Sequence, residues 1–126
     1  MEMCNFAAMK TISKEIDSRY SACPIRQVIT RIGDKWSILA LYILGKAGKE
    51  KMRYSEIHSY MLDCSQKMLS QTLKNLEKNK LVNRKVYPEV PPRVEYGLTE
   101  LGRSFLGPLD ALFDWGTKNM DKMVKD

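Results

Sequence analysis

One segment of the sequence constrains the fold most strongly, because its two sides differ in chemistry. Placed on a helical wheel at about 100° per residue, residues 65–79 bring Leu69, Leu73 and Leu76 to one side. The opposite side carries only polar and basic residues, which are Lys67, Ser70, Gln71, Lys74 and Lys78. Ordinary solvated helices mix both signs of charge, whereas this outer face has no carboxylate. The pattern predicts a helix that packs by one side and offers the other to an anionic partner.

Two short runs after this helix predict a β-hairpin. Residues 81–87 and 93–98 alternate partly between apolar and polar side chains, with a period of two. Pro88-Glu-Val-Pro-Pro92 joins them. Such runs are typical of antiparallel strands, here with a stiff tip bounded by prolines.

A core-facing helix is predicted from Asp34 onwards. Asp34 can cap the first turn with its carboxylate, and Gly45 is a stop signal. Apolar residues recur between them at steps of three and four, as on the buried side of an amphipathic helix. They are Trp36, Leu39, Ala40, Ile43 and Leu44.

A short strand and a second helix are expected next. The strand is predicted over residues 52–54, and Ser55 can cap the helix. Ile57, Tyr60 and Met61 are expected to face inward. After the hairpin, a further pair of helices is expected, the first capped by Thr99 and interrupted at Gly107-Pro108.

The two ends of the chain carry more apolar residues than one small core covers. We expect these helices to form a twofold interface between two copies. The predicted interface residues are Phe6, Met9, Ile12, Leu109, Leu112, Phe113 and Met120. The alternative is that the same helices fold back on their own core.

The positive charge is concentrated where the polar helix and the hairpin lie. The chain has 21 basic and 15 acidic residues, a formal net charge of +6. Residues 65–93 hold seven basic and two acidic side chains, a local charge of +5. This concentration favours a surface that docks phosphates. A basic face that meets an acidic protein is the alternative.

The order helix, turn, exposed helix and hairpin is that of a winged helix-turn-helix, so the predicted fold is mainly α with a small β wing. A major groove about 12 Å wide admits one helix, whose Gln, Ser and Lys side chains can read base edges. The predicted DNA contacts are Ser65, Gln66, Lys67, Ser70, Gln71, Lys74, Lys78, Arg84, Lys85 and Arg93. We expect Arg93 to contact a phosphate or the minor groove.

Cysteine usage and the absence of catalytic motifs narrow the function further. Three separated cysteines and a single histidine, His58, argue against a disulfide framework and against a zinc site. No Walker loop, HExxH, G-x-S-x-G or dinucleotide fingerprint is present. We therefore expect no enzyme, metal or cofactor. The sequence also has no signal peptide or membrane span, which favours the cytoplasm.

Six strings of residues carry a resemblance to a known family. They are Cys23-Pro-Ile, Ile32-Gly-Asp-Lys-Trp36, Arg53-Tyr-Ser-Glu-Ile57, Ser65-Gln-Lys-Met-Leu-Ser-Gln-Thr-Leu73, Tyr87-Pro-Glu-Val-Pro-Pro-Arg-Val-Glu-Tyr96 and Leu98-Thr-Glu-Leu-Gly102. In this order they resemble the HxlR family of bacterial regulators. The resemblance implies a MarR-like winged-helix homodimer on a palindromic operator in double-stranded DNA, with residues 65–79 as recognition helix and residues 88–93 as wing.

The resemblance also bears on regulation and on domain organisation. Cys23 matches the position at which family members often sense oxidants or electrophiles, and a thiol at a helix start near Arg26 can ionise readily. An unreactive thiol in a non-redox regulator is the alternative. The implied regions are an N-terminal helical extension (1–22), a DNA-binding domain (23–102) and a C-terminal dimerisation helix (103–126).

Overall fold

The computed structural model describes residues 24–124, apart from the side chain of Ile25. The chain divides into two compact units, residues 1–34 and residues 35–126. In the first unit the structure describes helix α1 (Pro24–Ile32). All other described elements belong to the second unit. The division predicted from the sequence, at residues 22 and 102, stays a prediction.

The second unit alternates short helices with a small antiparallel sheet. Its elements are α2 (Lys35–Lys46), β1 (Met52–Arg53), α3 (Tyr54–Ser59), α4 (Gln66–Lys78), β2 (Val82–Tyr87), β3 (Arg93–Leu98), α5 (Glu100–Ser104) and α6 (Leu106–Val124). The predicted fold class, mainly helical with a helix-turn-helix and a β wing, is confirmed. Among residues 24–124, no helix is long and apolar enough to cross a membrane.

Helix α2 lies at the centre of the core and packs against α3, α4, α6 and β3. It begins at Lys35, directly after Asp34, as predicted. The buried residues of α2 are only partly those that the apolar spacing predicted. The buried residues are Ser37, Ala40, Leu41 and Leu44, whereas Trp36, Leu39 and Ile43 are only half-buried. Neighbours on several sides widen the buried surface beyond one amphipathic stripe.

Gly45 does not end α2, contrary to the sequence prediction. The helix continues to Lys46, and the Leu106 side chain packs directly against Gly45. A Cβ at this position would meet the end of the Leu106 side chain, so a larger residue here would require Leu106 to move. The left-handed turn residue is Gly48, with φ of 73°.

The hairpin forms as predicted, and β1 adds a third strand to it. The strand order is β1-β3-β2, and every pairing is antiparallel. Met52 pairs with Tyr96, while Val82 pairs with Leu98 at the base of the hairpin. Tyr54, predicted to continue the strand, instead starts α3.

Helix α3 ends before two of the three residues that were expected to face inward from it. Ile57 and Met61 are buried as expected, but Tyr60 is 70% exposed. The helix ends at Ser59 and the chain turns there, so the helical spacing that would bring Tyr60 inward no longer applies.

The junction between α5 and α6 also differs from the prediction. Thr99 caps α5 as expected, since its hydroxyl oxygen accepts a hydrogen bond from the Gly102 N–H at 3.0 Å. The interruption falls at Phe105 rather than at Gly107-Pro108, and α6 starts at Leu106. Pro108 is tolerated in the first turn, where an N–H has no helical partner.

Candidate nucleic-acid interface

Helix α4 is held by its apolar side and by a cap at each end. The Ser65 hydroxyl oxygen accepts a hydrogen bond from the Met68 N–H at 3.0 Å, which caps the N-terminus. Leu69, Thr72, Leu73 and Leu76 are buried, and the helix packs on α2 and β2. The amphipathic pattern therefore fixes which side of α4 faces solvent.

The predicted DNA contacts in α4 and at its N-cap are all exposed. They are the five residues of the predicted outer face, Lys67, Ser70, Gln71, Lys74 and Lys78, together with Ser65 and Gln66. Met68 is also exposed. The polar face is therefore available to a partner, while contact of each residue with DNA stays a prediction.

A Schellman motif at the C-terminal end of α4 connects this helix to the first strand of the wing. The Lys80 N–H donates to the Glu77 carbonyl and the Leu81 N–H to the Leu76 carbonyl, both at 3.0 Å. Lys80 adopts φ of 65° at the position where glycine is usual. The Thr99 hydroxyl donates to the Lys80 carbonyl oxygen at 2.7 Å, which ties this turn to the start of α5.

The two faces of the wing have different surroundings. Because side chains alternate along a strand, Lys85, Tyr87, Arg93 and Glu95 share one face of the paired strands β2 and β3. Arg84 lies on the other face, and its Nε is 3.8 Å from a Glu77 carboxylate oxygen of α4. The predicted wing contacts Arg84 and Lys85 are both exposed. They therefore point to opposite sides of the hairpin.

Arg93 is bound within the wing. Its Nη2 lies 3.2 Å from Glu89 and its Nε 3.6 Å from Glu95. The guanidinium carbon lies 4.0 Å from the centre of the Tyr87 ring, a cation–π distance. With 29% of its side chain exposed, Arg93 links the tip loop to the adjoining ends of β2 and β3.

A groove of about 420 Å³ separates the wing tip from the start of α3. Its polar lining includes Arg53 and Ser55 on one side and Glu89 and Arg93 on the other, and the prolines of the tip contribute apolar surface. The groove thus continues the polar surface of the wing towards the helix-turn-helix.

The turn between α3 and α4 contains two hydrogen bonds that sequence reasoning missed. The Tyr54 hydroxyl donates to the Gln66 carbonyl oxygen at 2.9 Å. His58 Nε2 lies 2.9 Å from the Cys64 carbonyl oxygen. Neither bond follows from hydrophobic periodicity, since both acceptors are backbone atoms beyond the end of α3.

Two ionisable side chains of this helix-turn-helix, Glu56 and Cys64, have pKa values shifted from their usual range. The backbone N–H of Arg53 and the Lys49 ammonium lower the pKa of Glu56, which caps the start of α3. Burial raises the pKa of Cys64, whose side chain is 1% exposed. Glu56 is thus anionic at neutral pH, and the Cys64 thiol stays protonated.

The predicted interface residues of α6 occupy different environments. Leu112 and Met120 are each 51% exposed. Phe113 is half-buried and packs edge-to-face on Tyr42, with ring centres 4.5 Å apart. Leu109 is 1% exposed and belongs to the core of its own chain. Phe6, Met9, Ile12 and Cys23 lie outside the described residues.

A groove between α2 and α6 adjoins these exposed side chains. It has a volume of about 350 Å³. It is lined by Leu39, Tyr42, Phe113, Gly116, Thr117 and Met120. The exposed surface of α6 is therefore continuous with an apolar groove of the same unit.

No cluster of metal ligands appears in the part of the chain that the structure describes. No group of three or more His, Cys, Asp or Glu side chains lies together there as metal coordination requires.

Comparison with known proteins identifies the family. The sequence model of the HxlR-like helix-turn-helix family matches residues 31–124. An uncharacterised HTH-type transcriptional regulator of Methanothermobacter thermautotrophicus is 50% identical over 94 residues, which span 75% of this chain and 70% of the relative.

Solved structures with a similar fold are also transcriptional regulators. A MarR-family regulator from Porphyromonas gingivalis W83 is 37% identical with a TM-score of 0.70, over 77% of this chain and 92% of that one. The redox regulator HypR in its reduced form is 35% identical with a TM-score of 0.72, over 79% and 96%. The family and these relatives are transcriptional regulators, not enzymes. The chain belongs to the HxlR-like helix-turn-helix family and is a transcriptional regulator with a winged helix-turn-helix.

Proposed function

We propose that this regulator binds duplex DNA sequence-specifically as a homodimer, with α4 in the major groove and the β2–β3 wing beside it. One observation carries the proposal. On the side of α4 opposite its buried leucines, Lys67, Ser70, Gln71, Lys74 and Lys78 are exposed, and no carboxylate lies among them. A groove lined by phosphates and base edges is the partner that this chemistry fits.

The dimensions and side chains of α4 suit base readout. Its 13 residues span about 20 Å, enough to place the N-terminal half against the bases. Gln66, Ser70 and Gln71 can donate and accept hydrogen bonds at base edges, while Lys67 and Lys74 can reach guanine or phosphate.

Residues after the middle of α4 are proposed to contact the DNA backbone. Lys78, Arg84 and Lys85 are exposed cations at the end of the helix and in the wing. Arg93 lies at the tip end of β3, where a DNA phosphate can replace Glu89 as the partner of its guanidinium. Such contacts position the protein without reading sequence.

Dimerisation is proposed to occur through the helices at the chain ends. Leu112 and Met120 expose apolar surface on α6, and Phe6, Met9 and Ile12 are the predicted contributors from the N-terminal segment. A twofold dimer places two recognition helices about 34–36 Å apart, which matches a palindromic operator.

The alternative is a winged-helix module whose basic face binds an acidic protein. The composition of α4 argues against it, because interface cores favour aromatic residues and its exposed face has none. A gel shift with the DNA upstream of the chain's own gene, against a scrambled duplex, tests the proposal. Preferential retardation of the upstream DNA is expected, and equal retardation would contradict sequence-specific binding.

We also propose that an oxidant or electrophile releases the DNA through Cys23. Similarity to the redox regulator HypR supports this, as does the position of Cys23 directly before α1, with Arg26 in its first turn. The reducing cytoplasm, where we place the protein, would keep this thiol free.

Diamide treatment tests this response with two matched variants. Cys23→Ser is expected to keep DNA binding and to ignore diamide. Cys64→Ser is expected to respond as the wild type does, because the thiol it removes is buried. Release of DNA from the oxidised Cys23→Ser protein would contradict the assignment.

A further inference from the structure

We infer that Tyr54 and His58 are positioning residues, which hold the first turn of α4 in the orientation that base readout requires. The inference rests on the proposed function, because it concerns how the same helix is presented to DNA. It assigns a role to two side chains of α3 that neither the sequence pattern nor the exposed surface of α4 indicates.

The two side chains bind the backbone on both sides of the α4 cap. Tyr54 donates its hydroxyl hydrogen to the Gln66 carbonyl, and His58 Nε2 pairs with the Cys64 carbonyl, each at 2.9 Å. A carbonyl oxygen can only accept, so His58 carries a hydrogen on Nε2. Ser65, the cap residue of α4, lies between these two acceptors.

Tyr54 and His58 act together because they are one helical turn apart. Residues four apart lie on the same side of a helix, and the two rings are nearly parallel, at 16°, with centres 6.1 Å apart. Helix α3 is itself anchored by buried Ile57 and by the bond from the Arg53 N–H to Glu56. The pair thus connects a fixed helix to the start of α4.

The first turn of α4 depends on these bonds more than the remainder of the helix does. Leu69, Leu73 and Leu76 hold the middle and the end of α4 in the core. The side chains of residues 65–68 are all exposed, so this turn is held by its cap and by the two bonds from α3. Gln66 and Lys67, two proposed base contacts, lie in this turn.

Loss of either bond should therefore reorient the reading residues while the helix stays folded. Tyr54→Phe and His58→Phe each remove the hydrogen bond and keep an aromatic ring. Tyr60→Phe is the matched control, because Tyr60 lies just after α3 with an exposed ring. Binding is measured by fluorescence anisotropy on the footprinted upstream duplex and on a random duplex, with thermal unfolding recorded in parallel.

We expect Tyr54→Phe and His58→Phe to weaken binding to the upstream duplex by about fivefold, as loss of one hydrogen bond would, and to change random-duplex binding by less than about twofold. Tyr60→Phe should match the wild type. An unchanged ratio of the two affinities in both α3 variants would overturn the inference, as would unfolding of both at the assay temperature. If the wild type itself binds both duplexes equally, the proposed function fails instead.

Discussion

The Glu77 carboxylate lies 3.8 Å from the Arg84 guanidinium, and this ion pair joins α4 to the first strand of the hairpin, β2. Glu77 is the single acidic residue of α4. Its charge is directed towards Arg84, at the border of the polar face rather than within it. The pair therefore keeps a carboxylate away from the proposed DNA surface and engages one of the proposed phosphate contacts.

Glu77→Gln is expected to strengthen binding to random duplex DNA, because it removes a negative charge and frees Arg84. The salt dependence should steepen by about 0.9 in log–log slope for one added phosphate contact. Both side chains are about half exposed, so stability should change by less than about 0.5 kcal/mol. Asp114→Asn is the control, since Asp114 pairs with Lys118 on α6. Equal effects of the two substitutions would contradict a local role.

Gln71→Ala is expected to reduce discrimination between operator and random DNA. Gln71 is exposed at the centre of the polar face, and loss of a base contact typically costs about 1–3 kcal/mol. Thermal stability should be unchanged. Competition binding with single-base operator variants checks this, with Thr117→Ala on α6 as the control. Unaltered base preference in Gln71→Ala would show that this residue does not read sequence.

Local periodicity was sufficient to predict the site-bearing elements. The apolar spacing of Leu69, Leu73 and Leu76 predicted both the position of α4 and its exposed side, and alternation in residues 81–87 and 93–98 predicted the hairpin. In these segments one side packs on the core and the other meets solvent. Their burial pattern can therefore be inferred from the sequence.

Contacts between distant segments were not predictable in this way. The pairing of β1 with β3, the packing of Leu106 against Gly45 and the burial of Leu109 depend on residues far apart in the sequence. The ion pairs of Arg93 with Glu89 and Glu95 are local in sequence but depend on how the hairpin folds, so apolar periodicity did not indicate them either. Tertiary packing decides these features.

Lys80→Gly is expected to stabilise the fold by about 1 kcal/mol, because the φ of 65° at this position is unfavourable for a residue with a Cβ and accessible to glycine. Lys74→Gly, the same change within α4, should instead destabilise by about 1 kcal/mol. Urea denaturation of both variants measures the difference. Destabilisation by both would mean that the left-handed turn imposes no strain.

Leu112→Glu is expected to convert a dimer into monomers without unfolding the chain. Leu112 is exposed within one chain, so a charge there is tolerated by the monomer and opposed by an apolar interface. Sedimentation velocity gives the mass, and circular dichroism reports folding. Lys118→Glu tests an exposed charged position on the same helix and should leave the dimer intact. A monomeric wild type would contradict the dimer proposal.

The central claim, that the outer face of α4 lies against DNA phosphates and bases, is tested most directly by the salt dependence of operator binding for Lys74→Ala and Lys118→Ala. Both substitutions remove one exposed lysine, from α4 and α6 respectively. If the dimer neutralises six to ten phosphates, the wild type should show a log–log slope of roughly −5 to −9. Lys74→Ala should make the slope shallower by about one unit for each subunit that loses a contact, and Lys118→Ala should leave it unchanged. A slope that is the same in all three proteins, or that changes only in Lys118→Ala, would contradict the account.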